Sequence, residues 1–163
     1  MNLTTISNID NFLQNKNCDE LIHHFNKNIS NTKKYRNTYT LRCVYEPVLN
    51  KLNKYFKIFN FKNVDNMEIV LWPKGSFMKP HYDKGDYLSF IVYLNDNYKG
   101  GETVINNITM KPKKGSIVIF SNGLYLHNVN TVIDKERYTL IAWYKWVLKK
   151  INTQLLNKQY QKT

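Results

Sequence analysis

The chain has 163 residues, room for one compact domain spanning 1–163. Its 42% hydrophobic and 14% aromatic content excludes a disordered chain, and two cysteines, Cys18 and Cys43, exclude a disulfide scaffold. The net charge of +12, from 24 Lys and Arg against 12 Asp and Glu, fits either a polyanionic partner or the Lys- and Asn-rich coding of an AT-rich viral or microbial genome. The scattering of the lysines favours the second reading.

No basic stretch followed by an apolar one opens the chain, and no apolar run approaches transmembrane length. An intracellular, cytoplasmic protein without a membrane partner is expected. Asn11 to Asn28 reads as an amphipathic helix, with Phe12, Leu13, Leu21, Ile22 and Phe25 at helical spacing and Asp10 or Asp19 as its cap. His23 and His24 are neighbours on that helix, so they point in different directions, do not serve one site together, and are expected to be solvated or partly buried. Asn31 to Arg42 is polar and turn-rich, a loop or a peripheral hairpin. Glu46 to Phe59 reads as a second helix, with Val48, Leu49, Leu52, Phe56 and Phe59 on one face and Pro47 in its first turn. Residues 7–60 thus form a helical support.

Short runs rich in β-branched and aromatic residues follow: Met67 to Trp72, Leu88 to Leu94, Thr103 to Ile105, Ser116 to Phe120 and Tyr138 to Val147. Turn chemistry divides them at Pro73-Lys74-Gly75, Gly100-Gly101, Pro112 to Gly115 and Asn122-Gly123. The layout predicts a mainly β (α+β) protein whose core, 64–148, is a double-stranded β-helix or jelly roll. A polar tail, 149–163, carries amphipathic spacing at Ile151, Leu155 and Leu156.

His81 and Asp83 are two apart, so in extended chain they project to one face while Tyr82 points away. His127 lies 44 positions after Asp83, far enough for strands to run out and return beside the first pair. Two imidazoles and one carboxylate are the ligand set that holds non-haem Fe(II) and leaves coordination positions open. Taken alone, a His-x-Asp triplet is a weak signal, and a lone histidine is more often a core or surface residue.

The segments around these residues carry more. Lys79-Pro80-His81-Tyr82-Asp83, Phe90 to Asp96, Gly100-Gly101-Glu102-Thr103, Pro112 to Phe120, Leu126-His127-Asn128-Val129 and Arg137-Tyr138-Thr139-Leu140 ending in Trp143-Tyr144 agree in order and spacing with one family. Over about residues 67 to 147 the chain resembles the prolyl 4-hydroxylase-like branch of the Fe(II)- and 2-oxoglutarate-dependent dioxygenases. The resemblance implies His81, Asp83 and His127 as iron ligands. Fe(II), 2-oxoglutarate and O₂ would be the cofactor and co-substrates, and ascorbate (L-ascorbate) a candidate reductant. It further implies hydroxylation of a peptide or protein side chain, proline first, with decarboxylation of 2-oxoglutarate to succinate and CO₂.

Arg137, ten positions after His127, stands where the family grips the distal carboxylate of 2-oxoglutarate, and a guanidinium suits a forked bond to it. Thr139 and Trp143 share its strand face; Thr139 is expected beside Arg137 in the 2-oxoglutarate-binding set, and Trp143 to point into the barrel. Two positions depart from the pattern. Trp72 stands where many relatives place a tyrosine that helps bind 2-oxoglutarate, and its indole N–H is a substitute donor. Met78 replaces a substrate-side tyrosine, and Lys145 stands at a polar substrate-facing position. Gly100-Gly101 reads as a tight turn or bulge, because no helix start follows it. Two alternatives stay open: an oxidative demethylase of nucleic acid, against which stands Trp143 where such relatives carry a second Arg, and a non-catalytic β-barrel binding module.

Overall fold

The computed structural model describes residues 6–56, 64–84 and 87–145. In chain order these are strand β1 (Ser7–Ile9), helix α1 (Asn15–Lys27), a 3₁₀ turn (Ile29–Asn31), β2 (Lys33–Tyr35), β3 (Thr38–Arg42) and α2 (Glu46–Phe56). Then follow β4 (Val64–Trp72), β5 (Met78–His81), β6 (Tyr87–Tyr93), β7 (Thr103–Ile105), β8 (Ile108–Met110), β9 (Ile117–Ser121), β10 (His127–Val129) and β11 (Arg137–Lys145). The strands form a seven-stranded sheet, β1-β9-β6-β11-β4-β3-β2, and a four-stranded sheet, β5-β10-β7-β8; every pairing is antiparallel. This is the expected jelly-roll core with its helices placed first.

The central strands of the large sheet, β9, β6, β11 and β4, are buried on both faces, which is why they read as nearly continuous apolar runs. One face, through Met67, Ile69, Leu71, Leu88, Phe90, Val92, Ile117, Ile119, Leu140 and Ala142, joins Leu21 and Phe25 of α1 and Val48 and Leu52 of α2 in one core. Phe25 meets Tyr138 of β11 edge to face at 5.8 Å. Each such side chain contributes roughly 1.5–3 kcal/mol by leaving water. The opposite face, through Ile91, Tyr93, Val118 and Phe120 with Ile105 and Met110 of the small sheet, closes the barrel interior. Strand alternation thus sends Tyr138, Leu140 and Ala142 to the helices, and Arg137, Thr139, Ile141 and Trp143 to the other side.

Helix α1 starts later than its periodicity suggests. Asn11 takes a left-handed φ of 53°, and the Leu13 N–H donates to Gly115 O at 2.8 Å. Phe12 and Leu13 are therefore buried by packing on the turn before β9 rather than by a helical face. Neither Asp10 nor Asp19 caps the helix, whose N-cap is Gln14 without a side-chain bond. The two carboxylates instead pair with Lys113 (2.7 Å) and Lys114 (2.5 Å). His23 and His24 are exposed, as expected.

Residues 33–42 form the hairpin rather than the loop, and β3 joins it to β4 in the large sheet. Helix α2 is described as far as Phe56; Phe59, the end of the last expected strand at Val147, and the tail 149–163 lie outside the described residues. Three short strands, β1, β5 and β10, hold at most one β-branched residue each, too little for a strand pattern in the sequence. β5 even contains Pro80, which its edge position in the small sheet accommodates.

Candidate metal centre and active-site cavity

β5 and β10 pair so that His127 stands directly opposite His81. The two rings lie 4.3 Å apart, and Asp83, two residues beyond His81, brings Oδ1 to 3.5 Å from His81 Nε2 and 3.8 Å from His127 Nε2. One potential ligand atom from each of the three residues falls within 4.8 Å of the others. The spacing argument for His81, Asp83 and His127 thus becomes a convergent N, N, O set.

Both histidines are oriented in the same way. His81 Nδ1 is 2.8 Å from Lys79 O, and His127 Nδ1 is 2.9 Å from Tyr125 O. A carbonyl only accepts, so each Nδ1 carries the proton and each Nε2 presents its lone pair to the shared point. Burial holds His127 below its ordinary value of 6.5. His81 adds to that shift, while the Tyr125 carbonyl and Asp83 oppose it. The ring is neutral near pH 7, as a metal ligand must be. Phe120 packs against it edge to face at 5.0 Å.

Asp83 is held by Asn122, a fully buried residue just after β9 that its turn-like sequence, Asn122-Gly123, did not mark as part of a site. Asn122 Nδ2 donates to Asp83 Oδ2 at 2.8 Å and to Ser89 Oγ at 3.0 Å, and Asn122 O accepts from the Asp83 backbone N–H at 3.2 Å. With Oδ2 engaged, Oδ1 is left toward the histidines.

Arg137 has no solvent exposure. Nη2 donates to Thr103 Oγ1 at 3.1 Å, while Nε and Nη1 have no hydrogen-bond partner in the protein. The guanidinium carbon lies 4.7 Å from the Trp72 ring and 5.6 Å from the Tyr93 ring, a cation–π cradle. Thr103 also accepts from the Tyr93 hydroxyl at 2.9 Å. Burial raises the Tyr93 phenol and pushes Tyr98 up to about 12, with Arg137 opposing both shifts, so both stay neutral. Gly101 takes φ +67°, and a Cβ there would stand 3.1 Å from Arg137 Cδ. The glycine pair is thus a bulge-like turn, bridged to Val132, that leaves room for the arginine stem.

Trp72 and Thr139 lie side by side, and the indole Nε1–H donates to Thr139 Oγ1 at 3.2 Å. The donor assigned to Trp72 from sequence is therefore already engaged, and its ring face is what meets Arg137. Met78 Sδ accepts from Arg36 Nη1 at 2.7 Å. Lys145 closes β11 opposite Tyr87.

A cavity of about 510 Å³ joins these parts. Its wall holds His81, Asp83, His127, Thr103, Arg137, Trp72, Met78 and Trp143, and the β2–β3 hairpin borders it. Thr103 and Asn122 are the contributors that sequence reasoning did not single out. Thr103 stood inside the quoted Gly-Gly-Glu-Thr segment, whereas Asn122 gave no signal.

Residues 67–145 match the model of the 2OG-Fe(II) oxygenase superfamily. A PKHD-type hydroxylase of Prochlorococcus marinus (strain MIT 9215) is 36% identical over 70 residues, covering 39% of this chain and 31% of the relative. The chain thus matches about a third of that relative's length. Among solved structures, a viral collagen prolyl hydroxylase from Paramecium bursaria Chlorella virus-1 has a TM-score of 0.68 at 22% identity, covering 87% of this chain and 96% of that one. A Trichoplax adhaerens prolyl hydroxylase, solved with a hypoxia inducible factor oxygen degradation domain peptide, has a TM-score of 0.69 at 15% identity over 88% and 84%. At those identities the two structures establish the shared fold. Residues 67–145, just under half of the chain, thus carry a likeness to the 2OG-Fe(II) oxygenase superfamily.

Proposed function

We propose that the chain is an Fe(II)- and 2-oxoglutarate-dependent dioxygenase that hydroxylates a peptide or protein side chain, proline first. The observation that carries this reading is one cavity with a two-histidine, one-carboxylate set in its wall and a buried arginine with two unpartnered nitrogens. The donor set fits Fe(II): two neutral imidazoles and a carboxylate oxygen, with protein ligands on one side only. The arginine fits the far carboxylate of 2-oxoglutarate, since a buried cation with spare donors is stabilised by an anion that uses them.

When bound, the iron and 2-oxoglutarate supply oxidative decarboxylation to succinate and CO₂ and the oxidising power for a C–H bond. The chain's own residues do the positioning. His81, Asp83 and His127 hold the metal, and the Lys79 and Tyr125 carbonyls with Asn122 fix the direction of each ligand. Arg137 takes the distal carboxylate, and Thr139 keeps Trp72 in place beneath the guanidinium. Thr103 accepts from both Arg137 and Tyr93, so its own hydroxyl proton is left to donate toward the same carboxylate. Phe120, Ile91, Val129 and Ile141 line the wall and keep it dry, which strengthens the charge pair. Trp143 and Met78 border the space left for the substrate.

The names of the similar proteins support proline as the target, and the Trichoplax complex supports a peptide. The test is anaerobic addition of Fe(II) and 2-oxoglutarate, followed by air and a proline-containing peptide library read by mass. A visible charge-transfer band, succinate formation and a gain of one oxygen on proline are expected. Absence of both the band and succinate refutes the reading. His127→Ala abolishes both signals; turnover that survives it overturns the ligand assignment.

A further inference from the structure

We infer that the β2–β3 hairpin selects an acidic peptide, one whose target residue is flanked by Asp or Glu; this deepens the proposed peptide hydroxylation and rests on it. Lys33, Lys34, Tyr35 and Arg36 all border the cavity that holds the metal set, and all four are exposed. Among the described residues of that cavity the charges sort cleanly. Asp83 belongs to the metal set and Arg137 to the co-substrate end. That leaves three cations, Lys33, Lys34 and Arg36, against one carboxylate, Glu68.

Glu68 is itself occupied, accepting from Asn66 Nδ2 at 2.6 Å. The cations have no carboxylate partner among the ion pairs of the described residues. Arg36 rests over the Tyr35 ring at 5.3 Å and donates to Met78 Sδ at 2.7 Å, which fixes its stem at the cavity rim. Lys34 stands 6.0 Å from the Tyr39 ring. These neutral contacts place the positive charges and leave them uncompensated.

Two features favour a peptide over nucleic acid. β2 ends the large sheet, so among the described residues it offers an unpaired edge of main-chain N–H and C=O groups suited to an extended peptide backbone. The basic run is also short. Four residues of hairpin span roughly 10–13 Å, enough for a few carboxylates beside one target residue and short for a run of phosphates.

The experiment uses the Fe(II)-loaded protein with 2-oxoglutarate under anaerobic conditions. Fluorescent peptides carry one central proline flanked by glutamate, alanine or lysine, and a short single-stranded DNA is run in parallel. Three exposed charge contacts predict that the glutamate peptide binds roughly 3- to 100-fold more tightly than the alanine peptide, with the lysine peptide weakest. The advantage shrinks as salt rises from about 0.05 to about 0.5 M. The variant K33E/K34E/R36E, changed only at exposed positions, reverses the order of the peptides.

Equal binding of the three peptides, tighter binding of the DNA, or an unchanged order in the variant overturns the inference. The charge-transfer band separates the two levels. Its absence from the parent protein defeats the proposed function itself, whereas a normal band with no charge preference defeats only the acidic selectivity.

Discussion

Replacing Arg137 by methionine separates folding from co-substrate binding. The guanidinium has no solvent exposure, one hydrogen bond to Thr103 and two aromatic rings beneath it. Burying an ion costs several kcal/mol. A charge-assisted hydrogen bond returns about 1.5–3 kcal/mol, and a desolvated cation–π contact about 2 kcal/mol. These terms nearly cancel, and methionine fills much of the same space. R137M is therefore expected within about 2 kcal/mol of the parent in folding stability, a shift of less than about 8 °C in Tm.

Binding of 2-oxoglutarate loses both N–H donors that have no protein partner. Truncating one side of a buried, hydrogen-bonded charge pair costs about 2–5 kcal/mol, roughly 30- to 5000-fold in Kd. Calorimetric titration of 2-oxoglutarate into anaerobic Fe(II)-protein, beside thermal unfolding without it, measures both. A collapse in stability with affinity held within threefold would show that Arg137 is a core residue and not the carboxylate anchor.

Asn122→Ala frees Asp83 Oδ2 and should weaken metal affinity about 10- to 100-fold, read by competition with a metallochromic chelator; unchanged affinity refutes its positioning role. Trp72→Phe keeps a ring under Arg137 but removes the bond to Thr139. It should cost about 1 kcal/mol of stability and leave 2-oxoglutarate affinity within about threefold, whereas a loss beyond tenfold would restore the indole N–H as a direct ligand. Burial pushes the Cys18 and Cys43 thiols up to about 11 from 9.0. At pH 8 the folded thiolate population is then about 100-fold smaller than in the unfolded chain, and iodoacetamide labelling should slow at least that much. The same shift has a sign for stability. Unfolded thiols ionise near 9 and folded ones near 11, so this contribution is complete below pH 9 and is lost as pH rises toward 11; equilibrium unfolding across that range checks it.

The metal set was legible because its members are chemically rare and keep strand parity. His81 and Asp83 share a face at spacing two, and His127 sits in a segment whose neighbours identify it. Arg137 was legible by its distance from His127, and Trp143 by parity with Arg137. The apolar strands β4, β6, β9 and β11 announced themselves because burial on both faces demands unbroken apolar runs. Strands β5 and β10 did not, since pairing within the small sheet, not composition, makes them strands. Phe12 and Leu13 were read as helical because periodicity cannot tell a helical face from two side chains buried by a tertiary hydrogen bond.

What the amino-acid order determined by itself is the list of candidate groups: two histidines and one arginine on strands, and one aspartate two positions past the end of β5. Tertiary structure alone decided how those groups are held and what stands around them. It gave Trp72 to Thr139 and to the guanidinium, set Asn122 behind Asp83, and brought the Lys33–Arg36 hairpin to the cavity rim. The physical reason is range. Parity along a strand is a local property of the backbone, whereas a hydrogen bond between residues 39 positions apart, such as Asn122 to Asp83, exists only once the sheets have closed.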